Sequence, residues 1–526
     1  VTAPPPGGPG WQPAPGGERP EWLPPPPAPG SRGAPQGWGA PPAGQGWGTG
    51  AGGPAGPEPG RGWSPTPPPE GPRGRRVGKL TATLILLLVV GLAAGGLVLA
   101  TRREPPTPEA SGGTAAAPAT RAPSAGTPST RAPAATPVAP EVREVQRAVA
   151  ELRDLDFERR VPVTVESPDK LARRLLRVMA DETDEDQLRR QGRAMELLGQ
   201  LPAGTDLPSL LSRLQAESVL GFYLPGRKPP KGGLYVRSSS GLDPYARITL
   251  SHELTHAVTD QHFDLTRADR LAEATAREDE LAAYSGLVEG DAMLTMQRYL
   301  AERLTPSEQA DAALAAAGER TPRRDAAPAV IRESMLFPYQ EGLRFVRTLY
   351  QQGGWAAVDR AYRDPPTSTE QLLHPERYLR DRDRPQAVTV PNLSARLDGG
   401  WRSGVEVSFG ELDARLLLQE ELAVAAAESA AEGWDGGRLR TFQQGNRTAL
   451  ALRTVWDSSA EATQFCGAMS GWARSRFGSA TRSAGSLRWS GDGQQTALTC
   501  RGPRVTWLSA PDRPTLTRLT TALGPP

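Results

Sequence analysis

The chain has 526 residues, and its 57 Gly and 54 Pro crowd into the first third, so the part able to bury a core is much shorter than the whole. Basic residues (61) and acidic residues (59) nearly balance, and a formal net charge of +2 provides no basic field of the kind nucleic-acid binders need. Two cysteines, Cys466 and Cys500, lack the spacing of a zinc finger and are read as a single disulfide if that region lies outside the cytoplasm.

Residues 1–78 are Pro, Gly and scattered Trp, as in Gln36-Gly-Trp-Gly39 and Gly44-Gln-Gly-Trp-Gly48, with too few aliphatic side chains for a core. A disordered cytoplasmic tail is predicted, and its Gly-Trp repetition is given no role. Residues 79–101, built on the uncharged run Leu80–Ala100, are long and apolar enough for one transmembrane helix. Arg73, Arg75, Arg76 and Lys79 precede that run, so the positive-inside rule predicts a single-pass protein of the cell membrane, N-terminus cytoplasmic and C-terminal domain extracytoplasmic. Residues 102–140 are Ala, Pro, Thr, Ser and Gly, a solvated linker.

Periodic structure begins near Glu141. Residues 141–154 and 167–201 carry aliphatic side chains at helical spacing, among them Leu171, Leu175, Leu176 and Met179. Phe222-Tyr-Leu-Pro and Gly233-Leu-Tyr-Val-Arg-Ser238 are predicted as the strands of a hairpin that turns around Lys228–Lys231. The stretch around Tyr235 either is ordinary sheet structure or pairs with an extended substrate beside the next helix.

That helix holds Ile248-Thr-Leu-Ser-His-Glu-Leu-Thr-His-Ala-Val258, an H-E-x-x-H motif with no proline to interrupt the turn. His252 and His256 stand four apart, so both imidazoles leave one helix face and can share a zinc ion (Zn2+), with Glu253 beside them as the catalytic general base. A third metal ligand is required. Glu289 lies in a predicted second helix, Leu281–Met293, isolated among Leu287, Val288, Ala292 and Met293, where burying a carboxylate costs several kcal/mol unless a cation compensates it. The rival His262 sits at the spacing of H-E-x-x-H-x-x-G-x-x-H, yet Thr259 occupies the position where that motif needs Gly to turn the chain. The residues favour Glu289, with His262, Asp291 and Glu280 as alternatives, and Asp291 or Asp260 as a contact that orients a ligand histidine.

Helices are further predicted over 333–352, 355–362 and 368–373. His374 follows the last, and a catalytic role in steadying an oxyanion competes with surface packing. After residue 410 the pattern predicts a helix over 412–431, strands at 439–442, 449–455, 486–489, 497–500 and 505–508, and an intervening helix over 460–477. This is a small C-terminal α+β module, residues 411–526, packed on the 141–410 unit, with Cys466 on the helix facing Cys500 on a strand.

The run His252-Glu-Leu-Thr-His-Ala-Val-Thr-Asp-Gln-His-Phe-Asp-Leu265, with Leu287-Val-Glu-Gly-Asp-Ala292, Leu336-Phe-Pro-Tyr-Gln-Glu-Gly342 and Pro365-Pro-Thr-Ser-Thr-Glu-Gln-Leu-Leu-His-Pro-Glu-Arg-Tyr378, resembles a family of bacterial membrane-anchored proteins regarded as zinc metallopeptidases of the gluzincin type. The resemblance spans the middle of the chain. It implies His252, His256 and Glu289 as ligands and Glu253 as base. Met293 departs from the thermolysin-like pattern, which has an Asp four positions after the third ligand. The expectation is an α+β chain with a mainly helical, zincin-like metallopeptidase unit, acting on a protein or peptide substrate and tethered to the membrane by its single helix. The alternative is a non-catalytic cell-envelope interaction protein on the same scaffold.

Overall fold

The computed structural model describes residues 138–182, 184–225, 233–238, 241–319, 321–483 and 485–524. The expected tail, the Leu80–Ala100 run and nearly all of the linker lie outside them, as does the hairpin turn at 226–232.

The fold is α+β. Val145, Ala148, Val149 and Leu152, spaced by three and four, make the buried stripe of α1 (Val138–Arg153). The helical run expected over 167–201 is two helices, α2 (Pro168–Glu182) and α3 (Glu185–Leu197), because Asp184 caps the second by accepting from the Gln187 amide at 2.9 Å. Helix α4 (Leu207–Ser218) leads into the hairpin.

The strands β1 (Val163–Glu166), β2 (Gly221–Leu224) and β3 (Gly233–Arg237) form a small sheet in the order β1-β3-β2. Strand β3 pairs parallel with β1 and antiparallel with β2, so Tyr235 lies on the central strand and both its edges are taken. An extended substrate therefore has no free edge at Tyr235. The outer strands of the sheet are β1 and β2.

Helix α5 (Pro244–Phe263) carries the H-E-x-x-H motif. Asp243 caps it by accepting from the Ala246 amide, Pro244 occupies its first turn, and Asp264 ends it in the left-handed region at φ 52°. It is buried on nearly every side, as a helix at the centre of a domain must be. After α6 (Arg267–Glu273) comes α7 (Glu278–Arg303), whose acidic first turn, Glu278-Asp279-Glu280, suits the positive end of a helix. Then follow α8 (Pro306–Gly318), the short α9 (Pro322–Asp325) and α10 (Ala329–Arg363), which is broken at Gly353 and Gly354 where Gly354 takes φ 60°. The separate helices expected over 333–352 and 355–362 are the two halves of α10. Helix α11 (Thr369–Leu373) closes the unit.

The C-terminal sheet starts earlier than expected, at β4 (Arg402–Ser408), which pairs with β5 (Trp434–Gln444). Between them the expected single helix is two, α12 (Glu411–Gln419) and α13 (Val424–Ala431). Strands β6 (Arg447–Trp456), β7 (Thr481–Ser483), β8 (Ser486–Gly491), β9 (Gln494–Arg501) and β10 (Arg504–Ala510) complete an antiparallel sheet in the order β4-β5-β6-β10-β9-β8-β7. Helix α14 (Ser459–Phe477) covers one face through Phe465, Met469 and Trp472; α15 (Arg513–Leu523) covers the other through Leu516, Leu519 and Leu523. Cys466 on α14 and Cys500 on β9 are disulfide-bonded, closing a loop of 34 residues, which the chain-entropy argument values at about 3–4 kcal/mol.

The expected membrane attachment is corrected here. No helix among the described residues is long and apolar enough to cross a membrane. Even the 26-residue α7 carries acidic residues along its length. The expected transmembrane helix, membrane partner and single-pass localisation thus have no membrane-crossing helix among the described residues to rest on.

Candidate metal centre

Helices α5 and α7 pack side by side and bring three donors together. Nε2 of His252 lies 3.0 Å from Nε2 of His256 and 3.1 Å from Oε2 of Glu289, and the remaining side, His256 Nε2 to Glu289 Oε2, is 3.5 Å. Zinc bonds of about 2.0–2.1 Å at a tetrahedral angle require donors about 3.3 Å apart, so one ion fits this triangle. All three residues are buried.

The three side chains set one another's charge. Burial drives the His252 imidazole toward its neutral form, the form that ligates. Burial opposes ionisation of Glu289, but the His256 charge and the bond to His252 outweigh it and hold its carboxyl low. His256 answers in kind: burial disfavours its charge, and Glu289 overcomes that and raises it. No arginine or lysine pairs with Glu289 among the described residues, and its Oε1 is buried without a hydrogen-bond partner there. The buried carboxylate is held ionised between two imidazoles, and the three donor atoms lie close enough together to hold one metal ion.

Glu253, next to His252, is fully buried, and the polar group directed at its carboxylate is the Tyr223 backbone amide. Burial pushes its carboxyl up to about 8, with His256 pulling the other way by less. Strand β2 passes directly over it: a Cβ on Gly221 would stand 3.2 Å from Glu253 Cγ and 3.2 Å from Thr249 Cγ2.

The alternatives for the third ligand fall elsewhere. His262 is exposed and bonds the Asp156 carbonyl through Nε2 at 2.8 Å, six residues past His256 and on another side of α5. Glu280 is engaged by Arg267 and Arg277. Asp291, two residues past Glu289, is buried and accepts from Arg153 Nε at 2.7 Å, Tyr362 OH at 2.9 Å and Thr259 Oγ1 at 3.4 Å. Arg153 also reaches Asp359 at 2.7 Å and lies over the Trp355 ring. Asp260 accepts from Tyr223 OH at 2.8 Å and the Leu265 amide at 2.9 Å, which fixes the end of α5.

His374 is not brought to this cluster. Its Nε2 lies 3.1 Å from Glu411 Oε1 and 3.2 Å from Arg415 Nη2, both on α12, so it ties α11 to the C-terminal module. Of the two roles weighed for it, these contacts are those of packing, and it is not among the three grouped donors. Tyr339 on α10 was missed: its ring stacks on His252 with centroids 6.3 Å apart. The only sequence signal for it is its place in Leu336–Gly342, one of the segments that carries the family resemblance.

Residues 402–520, most of the C-terminal module, match a family described as a domain of unknown function (DUF8575). No curated protein matches the chain, and no solved structure does.

Proposed function

We propose that this chain is a zinc-dependent peptidase of the gluzincin kind, holding its metal with His252, His256 and Glu289. The observation that carries the reading is the triangle of three buried donor atoms with sides of 3.0, 3.1 and 3.5 Å. A zinc ion bound there supplies a Lewis acid for a carbonyl oxygen and lowers the pKa of a water to about 7. Glu253 takes the proton of the attacking water as its oxygen joins the carbonyl carbon, then delivers that proton to the amine as the C–N bond breaks.

The strand beside the site supports a peptide as substrate. The Arg237 amide donates to the Leu220 carbonyl at 2.7 Å, which sets the phase of the β2–β3 pair: Leu220, Phe222 and Leu224 bond to β3. The peptide groups of Gly221 and Tyr223 point to the outer edge, on the strand that covers Glu253. An extended peptide added there gains main-chain hydrogen bonds while its carbonyl lies near the base.

Zinc content of the purified full chain, measured by elemental mass spectrometry beside a His252→Ala, His256→Ala variant, tests the metal. Expected is about one zinc per chain, lost in the variant. Glu253→Gln keeps zinc and loses on the order of 10²–10⁴-fold in hydrolysis of a peptide library. The full burial of His252 and Glu253 favours a second reading, a non-catalytic binding protein with a structural metal. Bound zinc with no turnover of any peptide pool establishes that reading instead.

A further inference from the structure

We propose that Tyr339 orients His252, its ring supplying by stacking what a hydrogen bond to the second imidazole nitrogen supplies at most metal-ligating histidines. Resting on the metal reading above, the inference concerns how the first ligand is held. Nδ1 of His252 is buried and has no hydrogen-bond partner among the described residues. Its polar contacts, to His256 and Glu289, are all made through Nε2. Two rings touch it instead: His256, edge-on at 4.7 Å between centroids, and Tyr339, stacked at 6.3 Å with 29° between planes. His256 sits on the same helix and is a ligand itself. Tyr339 comes from another helix and is 2% exposed, so it is the outside wall against which the ring rests.

The position of that wall is fixed by three glycines. A Cβ on Gly342 would stand 2.1 Å from the Gly286 carbonyl oxygen, and one on Gly290 would stand 2.1 Å from the Gly342 carbonyl oxygen, so α10 and α7 meet backbone to backbone. Tyr339 lies one turn before Gly342 on α10, and Glu289 lies next to Gly290 on α7. One crossing thus positions both the third ligand and the ring that steadies the first.

The test uses the full chain with Tyr339→Phe and Tyr339→Leu, each also in a His252→Ala background. In metal-free protein the four histidines allow the His252 Cε1–H resonance to be assigned by its loss in His252→Ala. Tyr339→Phe retains the parent resonance, whereas Tyr339→Leu shifts and broadens it. In competition with a chelator, Tyr339→Phe binds zinc within about twofold of the parent and Tyr339→Leu about 10–100-fold more weakly. In the His252→Ala background Tyr339→Leu causes no additional loss, because the effect runs through that ring. Tyr339→Met, which fills the volume without a flat ring, replaces the leucine variant if that does not fold. Parent-like resonance and affinity in Tyr339→Leu overturn the proposal, as does a phenylalanine variant as weak as the leucine one. A parent that binds no zinc removes the metal reading, and the histidine resonance then decides the stacking role by itself.

Discussion

Glu289 and His262 put the chemistry of single residues to the test. Glu289 is a buried carboxylate kept ionised by two imidazoles, while the His262 ring bonds a backbone carbonyl at the surface. Glu289→Ala is expected to weaken zinc binding at least 100-fold in chelator competition, and His262→Ala to leave it within twofold. The opposite pattern would return the third-ligand role to His262. That His252 and His256 share a helix face was legible because a spacing of four is local geometry, and Glu289 drew notice because a lone acid in an apolar run is costly without a cation; the structure brings the three together. His374 and Tyr339 were not. Their partners, Glu411 and His252, lie on elements far along the chain, and no periodicity within either segment reports a contact made by folding.

Helices reach the site through a charged clamp as well as through glycines. Arg153 at the end of α1 is wholly buried and bonds Asp291 on α7 and Asp359 on α10; Asp291 in turn takes the Thr259 hydroxyl of α5. Four helices thus share one ionic cluster beside the His252, His256 and Glu289 group. Removing the guanidinium strands the wholly buried Asp291 carboxylate, Asp359 being partly open to solvent, and costs about 3–5 kcal/mol. Arg153→Met should lose that much in urea unfolding, and adding Asp291→Asn and Asp359→Asn should restore part of it; an unaltered midpoint in the single variant would mean the cluster is solvated and not structural. Elements were legible in proportion to their length and stripe. The long buried α5 and α7 were found, whereas β1 and β4 were missed because short, half-exposed strands carry too few apolar residues to show a period of two. The split between α12 and α13 escaped because apolar spacing continues across it from Leu418 to Leu422, whereas the split between α2 and α3 falls in the polar run 181–187, where Asp184 caps the second helix.

In the assembled molecule the helical unit meets the C-terminal sheet through the first turn of α7. Glu278 accepts from the Ser408 amide and hydroxyl, and Asp279 accepts from the Thr369 amide at 3.2 Å and hydroxyl at 2.6 Å, with the Gly410 backbone pressed against it. Burial pushes the Asp279 carboxyl up to about 7, the Thr369 bonds drawing it down by less, and burial likewise pushes nearby Asp413 up to about 6. An unfolded chain releases such protons near pH 4. Between about pH 4 and 7 the folded chain therefore holds a proton at Asp279 that the unfolded chain has lost. The stability linked to this proton is complete below about pH 4 and is lost as the pH rises through 7. Asp279→Asn keeps an oxygen that can accept from both Thr369 donors and has no charge to bury. Measured by urea unfolding with chelator present, so that zinc cannot contribute, the variant should gain stability relative to the parent between pH 4.5 and pH 8. A difference that stays constant across that range would show that the Asp279 carboxyl is ionised throughout, with the junction admitting enough water to solvate it.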